Sequence, residues 1–263
     1  MKTVLTIAGS DSSGGAGIQA DLKTYMALGV YGMSAVTAIT AQNTLGVTRI
    51  DPVSPSMIEA QLRAVFEDIP PDAVKIGMLG DEEAVLVTAQ ILEEFQPAHI
   101  VYDPVMASTS GTSLMGESAF ARVKDTLLPL THVITPNLAE AQRLSGLPIR
   151  DKRDMARAAE AIGGDYPGAI LVKGGHLAGC CDDLLYSQGQ ITWYPGEVQA
   201  NPNTHGTGCT LSSAIAAGLA KGLTLREAVR HAKIYITEAI AAGLTIGHGR
   251  GPLDHGYRWK VKG

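Results

Sequence analysis

The chain of 263 residues carries a formal net charge of −5 and is 45% hydrophobic, so it can bury a sizeable core in one large α/β domain. Its lysines and arginines are scattered, which argues against nucleic acid or an anionic membrane as a partner. No apolar run reaches the ~18 residues of a membrane span. The 3 cysteines form no C-x-x-C motif or disulfide framework, so we expect a protein of the reducing cytoplasm.

Strand and helix patterns alternate along the whole chain. In order, they predict a strand at 3–8, helix at 18–28, strand at 33–40, helix at 55–66, strand at 73–79, helix at 82–95, strand at 100–102, helix at 118–127, strand at 132–135, helices at 136–146 and 155–162, strand at 169–172, hairpin at 183–194, and helices at 209–221 and 225–242. No linker or break in composition interrupts the pattern. We therefore predict a single domain over 1–263, with a doubly wound, mostly parallel sheet and helices on both faces.

The first strand runs into a Gly/Ser loop at residues 9–17. This loop is neither a Walker A motif nor a dinucleotide fingerprint, because no Gly-Lys-Ser/Thr follows and the third glycine is missing. Asp21 lies one turn into the next helix. From the residues alone, it is interpreted as a solvated carboxylate near a helix N-terminus.

A polar group, Gln42-Asn43-Thr44, follows the second predicted strand. A side-chain amide at that place can accept from an exocyclic amine and donate to a ring nitrogen, as Gln and Asn do when they read adenine. This pairing would suit an aminopyrimidine. A polar turn with no ligand is the alternative.

Two carboxylates follow later strands. Asp103 comes directly after the strand at 100–102, and Glu140 begins the helix after the strand at 132–135. The carboxyl ends of parallel strands meet at one edge of a sheet, so the pair could hold Mg²⁺ together with substrate phosphates. A turn aspartate before Pro104 is the alternative for Asp103. The small polar loop at 108–116 is expected to be mobile.

Lys173 stands before two glycines at the end of the strand at 169–172. A lysine there is a point charge that can reach a phosphate, and a simple turn lysine is the alternative.

Residues 203–213 combine glycines with the start of an apolar helix. Backbone N–H groups at Gly206, Thr207 and Gly208 would lie at the positive end of the helix dipole and attract an anion. Cys209 lies in the first turn, where we expect the same field to lower the pKa of its thiol and make it a base or nucleophile. The alternative is an inert, buried cysteine after an ordinary glycine turn.

These groups all follow strands or begin helices, so we expect them along one edge of the sheet. Together they would supply a metal site, a cationic phosphate contact, an anion hole and a base. Those are the parts that phosphoryl transfer needs.

Seven segments together closely resemble the hydroxymethylpyrimidine/phosphomethylpyrimidine kinases of thiamin biosynthesis, a family of the ribokinase superfamily. They are AGSDSSGGAGIQADLKT (8–24), AQNT (41–44), KIGML (75–79), DPVM (103–106), ITPNLAEA (134–141), VKGGH (172–176) and THGTGCT (204–210). The resemblance covers essentially the whole chain in order. It implies a ribokinase-like fold and ATP-dependent phosphorylation of 4-amino-5-hydroxymethyl-2-methylpyrimidine to its monophosphate and then its diphosphate.

The resemblance also implies roles for individual residues. Cys209 would replace the catalytic Asp of the superfamily's sugar kinases, and Gly206, Thr207 and Gly208 would form the anion hole. The other roles are metal binding by Asp103 and Glu140; nucleotide contacts by Lys173, Asn137, Thr204 and Lys233; and a ring pocket of Gln42, Gly9, Asp21, Met78 and Val105. Mg²⁺ with ATP is the implied phosphoryl donor, and a homodimer the implied assembly.

Three alternatives remain at this point. A pyridoxine, pyridoxal or pyridoxamine kinase shares the fold and a similar loop, although Gln42 and its neighbours favour the pyrimidine. A cysteine hydrolase or acyltransferase could use Cys209 with His205 as its base, but no third orienting residue is evident. A ligand sensor without catalysis could also occupy this fold.

Overall fold

A computed structural model of the protein describes residues 1–106, 114–175, 177, 181–197, 199 and 201–259. Most of the loop predicted at 108–116 lies outside the described residues, as does His176 of the VKGGH segment. The strands are β1 (Thr3–Asp11), β2 (Tyr31–Asn43), β3 (Gly46–Pro52), β4 (Ala73–Ile76), β5 (Ile100–Tyr102), β6 (Val133–Ile134), β7 (Ala169–Val172), β8 (Asp183–Ser187) and β9 (Gln190–Tyr194).

Eight α-helices are described between and after these strands. They are α1 (Gly17–Ala27), α2 (Pro55–Asp68), α3 (Glu82–Phe95), α4 (Glu117–Arg122), α5 (Leu138–Ser145), α6 (Lys152–Asp165), α7 (Thr207–Ala220) and α8 (Leu225–Ala241). A π-helical turn (Val123–Leu127) and a 3-10 turn (Leu128–Leu130) continue α4, where the sequence predicts one helix to 127. Within the described ranges, none of these helices is both long and apolar enough to span a bilayer.

The described strands form one sheet in the order β3-β2-β1-β4-β5-β6-β7-β8-β9. The six strands from β2 to β7 in this order pair in parallel, and β3, β8 and β9 are antiparallel additions at the two edges. The chain reverses direction across the sheet between β1 and β4. The doubly wound, mostly parallel sheet is therefore confirmed, and its switch point is where open α/β sheets bind ligands.

Helices cover both faces because successive side chains of a strand point to opposite sides. In β1, Leu5 and Ile7 belong to a core cluster that includes residues of α2, α3, α4 and α6, whereas Val4 belongs to a second cluster that includes residues of α1, α7 and α8. The helix α7 is buried along most of its length, from Thr210 to Ala220. It crosses the sheet beside β1, β4 and β5, which brings its N-terminus to the switch point.

One strand was absent from the prediction. β3 (Gly46–Pro52) is mostly exposed and pairs antiparallel with β2, which runs to Asn43 with a register shift between Ala41 and Gln42. The expectation that Gln42 follows the end of its strand is therefore wrong. Gln42 lies in a long β-ribbon because β2 pairs with β3. The hydrophobic pattern of β2 alone does not indicate this pairing.

Candidate active site

A cavity of about 870 Å³ lies along the carboxyl ends of the parallel strands. All but one of the predicted site residues line it: Gly9, Gln42, Met78, Asp103, Val105, Asn137, Glu140, Lys173, Thr204, Gly206, Thr207, Gly208, Cys209 and Lys233. The exception is Asp21. The sheet thus brings together residues that are as far as 224 positions apart in sequence, from Gly9 to Lys233.

The start of α7 forms one wall of the cavity. Gly206 is its N-cap with φ 84°, and a Cβ at that position would lie 1.9 Å from the carbonyl oxygen of Gly15. Only glycine fits, because both the left-handed backbone and the close approach to the loop before α1 exclude a side chain. The first helical bond runs from Thr210 N to Gly206 O, so the amides of Gly208 and Cys209 precede the ladder and can bind an anion.

Cys209 follows directly, but its electrostatics differ from the prediction. Burial raises the pKa of the thiol to about 11, although Lys75 acts in the opposite direction. The expectation of a lowered pKa is therefore wrong, since the Lys75 charge does not compensate for the lost hydration of a thiolate. In the free protein Cys209 is a thiol at neutral pH.

An ion pair lies opposite the start of α7. Lys173 Nζ donates to Asp103 Oδ1 at 2.7 Å, and Thr135 Oγ1 donates to the same oxygen at 3.0 Å. A Cβ placed on Gly208 would be 3.2 Å from Asp103 Oδ2 and 3.3 Å from Lys173 Nζ. The ammonium, the carboxylate and the free amides of α7 thus surround one point, where a transferred phosphoryl group could be held.

Asn137 and Glu140 line the cavity and also begin α5. Asn137 Oδ1 accepts from Glu140 N at 2.9 Å, and Glu140 Oε2 accepts from Asn137 N at 2.7 Å, which is a capping box. Burial raises the pKa of Glu140 to about 7, with the Asp103 charge acting in the same direction and the Lys173 charge against it. The sequence pattern predicted the position of Asn137 and Glu140, but it did not predict the hydrogen bonds between them.

The donor chemistry fits Mg²⁺. Among the described residues, no group of three or more His, Cys, Asp or Glu side chains forms a ready metal cage. Asp103 and Glu140 instead provide two carboxylates that line the same cavity as the start of α7. Mg²⁺ is usually bound in this way, by one or two carboxylates plus substrate phosphates.

Apart from Asp21, the residues predicted for the ring pocket around Gln42 line the same cavity. Gln42 extends from β2; its Nε2 is 3.3 Å from His205 Nε2, and its Oε1 accepts from Thr40 Oγ1 at 3.2 Å. A Cβ at Gly9 would lie 2.5 Å from Met78 Cε, so these two positions are closely packed. Met78 and Val105 thus contribute apolar lining to the cavity, and Gln42 contributes an amide.

Asp21 does not line the cavity, and the interpretation of a solvated carboxylate is wrong. It is fully buried, and Oδ2 accepts from Lys75 Nζ at 2.9 Å and Thr6 Oγ1 at 2.6 Å, while Oδ1 accepts from Ser213 Oγ at 2.7 Å. The reason is Lys75, itself fully buried in β4. Its partner carboxylate has to be buried with it, because an unpaired internal charge is costly.

Two further cavity residues are engaged by neighbours. Lys233 Nζ donates to Asp183 Oδ2 at 2.5 Å and to the carbonyl oxygen of Cys181 at 2.8 Å. His205 Nε2 contacts Asp11 Oδ2 at 2.8 Å, so this ring nitrogen is already engaged by a carboxylate.

Sequence reasoning gave no role to Lys75 or Asp11. Lys75 carried a usable signal, since a lysine within the apolar strand Ala-Val-Lys-Ile implies a buried acidic partner. Asp11 carried none, because it stands among serines and glycines that suit any polar loop.

Comparisons with known proteins were consistent with this geometry. The family model of phosphomethylpyrimidine kinase matches residues 11–254. A hydroxymethylpyrimidine/phosphomethylpyrimidine kinase of Rhizobium meliloti (strain 1021) is 53% identical over 97% of each chain. A crystal structure of phosphomethylpyrimidine kinase from Clostridium difficile 630 has 48% identity and a TM-score of 0.83, covering 91% of this chain and all of that one. A pyridoxal kinase of Staphylococcus aureus, in complex with AMP-PCP and pyridoxal, has 36% identity and a TM-score of 0.90 over 99% of this chain and 96% of that one.

Proposed function

Because the chain belongs to the phosphomethylpyrimidine kinase family, we propose that it phosphorylates 4-amino-5-hydroxymethyl-2-methylpyrimidine twice with ATP, first to the monophosphate and then to the diphosphate. The observation that carries this proposal is one cavity lined by two unlike sets of groups. One set is the amides of α7 beside the pair Lys173–Asp103, and the other is the Gln42 amide with Met78 and Val105. The first suits phosphates and the second an aminopyrimidine.

The groups at the start of α7 would stabilise the negative charge of the phosphates during transfer. We assign the γ-phosphoryl group to the amides of Gly208 and Cys209, with Thr207 at the helix start and Lys173 as the cation. Lys173 already carries its charge, since Asp103 raises the pKa of its ammonium against the effect of burial. Asn137, Thr204 and Lys233 line the path along which the remaining nucleotide would lie. These groups need little rearrangement, which is how electrostatic stabilisation lowers a barrier.

We assign Mg²⁺ to Asp103 and Glu140. When bound there, the ion would neutralise charge on the phosphates. A metal ligand has to be ionised, so Mg²⁺ binding would release the proton that Glu140 holds near neutral pH.

Cys209 is assigned as the proton acceptor of the first transfer only. There the alcohol oxygen forms a bond to phosphorus, the bond to the ADP oxygen breaks, and the alcohol proton passes to the thiolate. Because the pKa of the thiol is raised to about 11, the thiolate is a minor form at neutral pH and increases as the pH rises. In the second transfer the acceptor is a phosphate monoester, already largely ionised above its second pKa of ~6.

A two-step assay tests these assignments. ADP release is measured with the pyrimidine alcohol and, separately, with its monophosphate. Cys209→Ala should slow the first transfer by roughly 10²–10⁴-fold and the second far less, since only the first needs a base. In the unchanged protein, the first rate should rise with pH between 7 and 9 and the second should not.

Cys181→Ala is the matched control, because it removes another thiol of the same cavity. Both steps should remain as they were. Absence of any phosphorylated pyrimidine would refute the function itself, whereas an equal loss in both steps of Cys209→Ala would refute only the role of that thiol.

A second activity on pyridoxal has one observation in its favour. The fold of the Staphylococcus aureus pyridoxal kinase covers 99% of this chain with a TM-score of 0.90. Gln42 favours the aminopyrimidine, because pyridoxal has no amine beside its ring nitrogen to pair with the amide. The ratio of kcat/KM for the two alcohols measures this preference, and a ratio near one would contradict it.

We also propose that the protein forms a homodimer through the edge ribbon of β2 and β3. Ile39 is 60% exposed, and Leu45 in the turn and Met57 at the start of α2 are 67% and 54% exposed. Exposed apolar side chains on an edge ribbon and at the start of the following helix favour an interface. Light scattering gives the mass directly, and Ile39→Lys should shift it to that of a monomer.

A further inference from the structure

A buried histidine–aspartate pair lies directly behind the Gln42 amide. His205 and Asp11 are 6% and 3% exposed, and His205 Nε2 is 2.8 Å from Asp11 Oδ2. The same nitrogen is 3.3 Å from the Gln42 amide. Neither His205 nor Asp11 has a part in the transfer described above.

Asp11 is a carboxylate surrounded by donors. Oδ1 accepts from the backbone N and Oγ of Ser13 at 2.9 and 2.7 Å, and Oδ2 accepts from Gly15 N at 3.1 Å and Ala16 N at 2.8 Å. Burial opposes its ionisation, but the bonds from His205, Ser13 and Ala16 prevail and lower its pKa to about 2. An ionised oxygen only accepts, so His205 Nε2 has to carry a proton and donate it to Asp11.

This proton decides how the Gln42 amide is oriented. In the structure, Gln42 Nε2 lies 3.3 Å from His205 Nε2, and Gln42 Oε1 accepts from Thr40 Oγ1 at 3.2 Å. A protonated His205 Nε2 cannot face an NH₂ group, so the amide has to be turned by 180°, with its oxygen next to His205. The NH₂ group then faces Thr40 Oγ1, whose own proton goes to the carbonyl oxygen of Ser10 at 2.9 Å. Every donor thus meets an acceptor in this orientation, and the opposite one places two donors together.

The ring of His205 has little freedom to turn away. A Cβ at Gly15 would lie 2.4 Å from His205 Cδ2, so the ring packs directly on the loop before α1. Its backbone N donates to Gly251 O at 3.1 Å, next to a parallel bridge between His205 and Pro252. The ring is therefore held from the loop, from the C-terminal segment and by Asp11.

We propose that His205, held by Asp11, is a positioning residue that orients the Gln42 amide and thereby selects a ring bearing an amine beside a ring nitrogen. In this orientation Gln42 keeps one lone pair and one N–H for the ligand. Their order along the cavity is set by His205, so a ring with the two groups reversed, or with only one of them, is bound less well. The proposal rests on the ring contact assigned to Gln42 under the proposed function.

A double-mutant cycle tests it on the whole protein. Dissociation constants of the pyrimidine alcohol and of ATP are measured by calorimetry for the unchanged protein, His205→Phe, Gln42→Leu and the double variant. His205→Phe keeps a ring but loses the donor, and should weaken pyrimidine binding roughly three- to tenfold, about one hydrogen bond. ATP binding should change less than twofold, and His205→Phe should have no further effect in the Gln42→Leu background.

His255→Phe is the matched control. His255 is equally buried, contacts Tyr235 Oη at 3.1 Å and does not line the cavity. It should leave both dissociation constants unchanged.

Two outcomes would overturn this proposal and leave the proposed function standing. In the first, His205→Phe weakens pyrimidine binding equally with and without the Gln42 side chain. In the second, His205→Phe weakens ATP binding as much as pyrimidine binding. Either outcome indicates a purely structural histidine. If Gln42→Leu itself leaves pyrimidine binding unchanged, the assigned ring contact fails with it, while phosphorylated product would still uphold the proposed function. Should His205→Phe not fold, ¹⁵N NMR of the unchanged protein decides. A proton on Nε2 from pH 6 to 8 supports the proposal, and a proton on Nδ1 only contradicts it.

Discussion

Two lysine–aspartate pairs lie under the same end of α7, and they differ in access to the cavity. The buried pair, Asp21–Lys75, joins at 2.9 Å with both side chains 0% exposed. The cavity pair, Asp103–Lys173, joins at 2.7 Å with its lysine 16% exposed. The first is closed off by protein on every side, whereas the second lines the cavity.

The difference shows how one kind of ion pair can serve two purposes. Thr6 and Ser213 complete the hydrogen bonds of Asp21, and Ser213 belongs to α7, so the buried pair ties the helix to β1 and β4. In the cavity pair, Thr135 donates to one oxygen of Asp103, and both charged side chains line the cavity. Its lysine can exchange part of its contact for a phosphate, which a fully enclosed lysine cannot do.

The largest effect is expected from breaking the buried pair. Lys75→Met removes the ammonium and leaves the Asp21 carboxylate unpaired, so the free energy of unfolding should fall by roughly 3–5 kcal/mol. Urea denaturation followed by circular dichroism measures it. Adding Asp21→Asn removes the stranded charge and should recover part of the loss. A double variant no more stable than Lys75→Met would contradict this account of the buried pair.

Breaking the cavity pair should affect activity more than stability. Lys173→Met removes a charged contact to the phosphates, worth roughly 1.5–3 kcal/mol, so kcat/KM for ATP should fall about 10- to 100-fold. Its loss of unfolding free energy should be smaller than that of Lys75→Met, because the cavity can hydrate Asp103.

Lys2→Met is the control for Lys173→Met. It breaks the exposed pair with Asp72 at the amino ends of β1 and β4, away from the cavity, and should leave kcat/KM unchanged. If Lys173→Met lowers the free energy of unfolding as much as Lys75→Met does, the two pairs do not differ in the way described here.

The smallest effect concerns Cys209, which lies between the pairs. Its thiol has a pKa of about 11, raised first by burial and further by the charges of Asp21 and Asp103. A group with a raised pKa stays protonated at neutral pH, so alkylation by iodoacetamide should be slow at pH 7 and speed up towards pH 10. Asp103→Asn removes one of those charges and should make alkylation at pH 8 faster by a few-fold.

Peptide mapping by mass spectrometry follows Cys209 separately from the other thiols. Asp51→Asn, the same change at an exposed site on β3, serves as the control and should leave the rate unchanged. A slower reaction in Asp103→Asn would mean that access, rather than charge, governs this thiol.

Particular elements show what the sequence could predict. The strands at 100–102 and 169–172 and the helix at 82–95 were predicted with their observed bounds, because each has a clear apolar period and turn residues at its ends. Pairing with a distant strand defines β3, so its mostly exposed residues gave no signal. Residues after strand ends or at helix starts, such as Asp103, Lys173 and Gly206, were placed correctly on one cavity because a parallel sheet aligns those positions.

The sequence by itself determined the order of elements, the class of sheet and which residues reach its carboxyl edge, since these follow from local periods and from the geometry of parallel strands. Only the tertiary structure decided the charge state and the access of those residues. Asp21 is buried because Lys75, 54 positions away, is buried with it, and Cys209 is a thiol because its surroundings exclude water. Solvation and pairing depend on what the whole fold places around a group, and no local pattern contains that information.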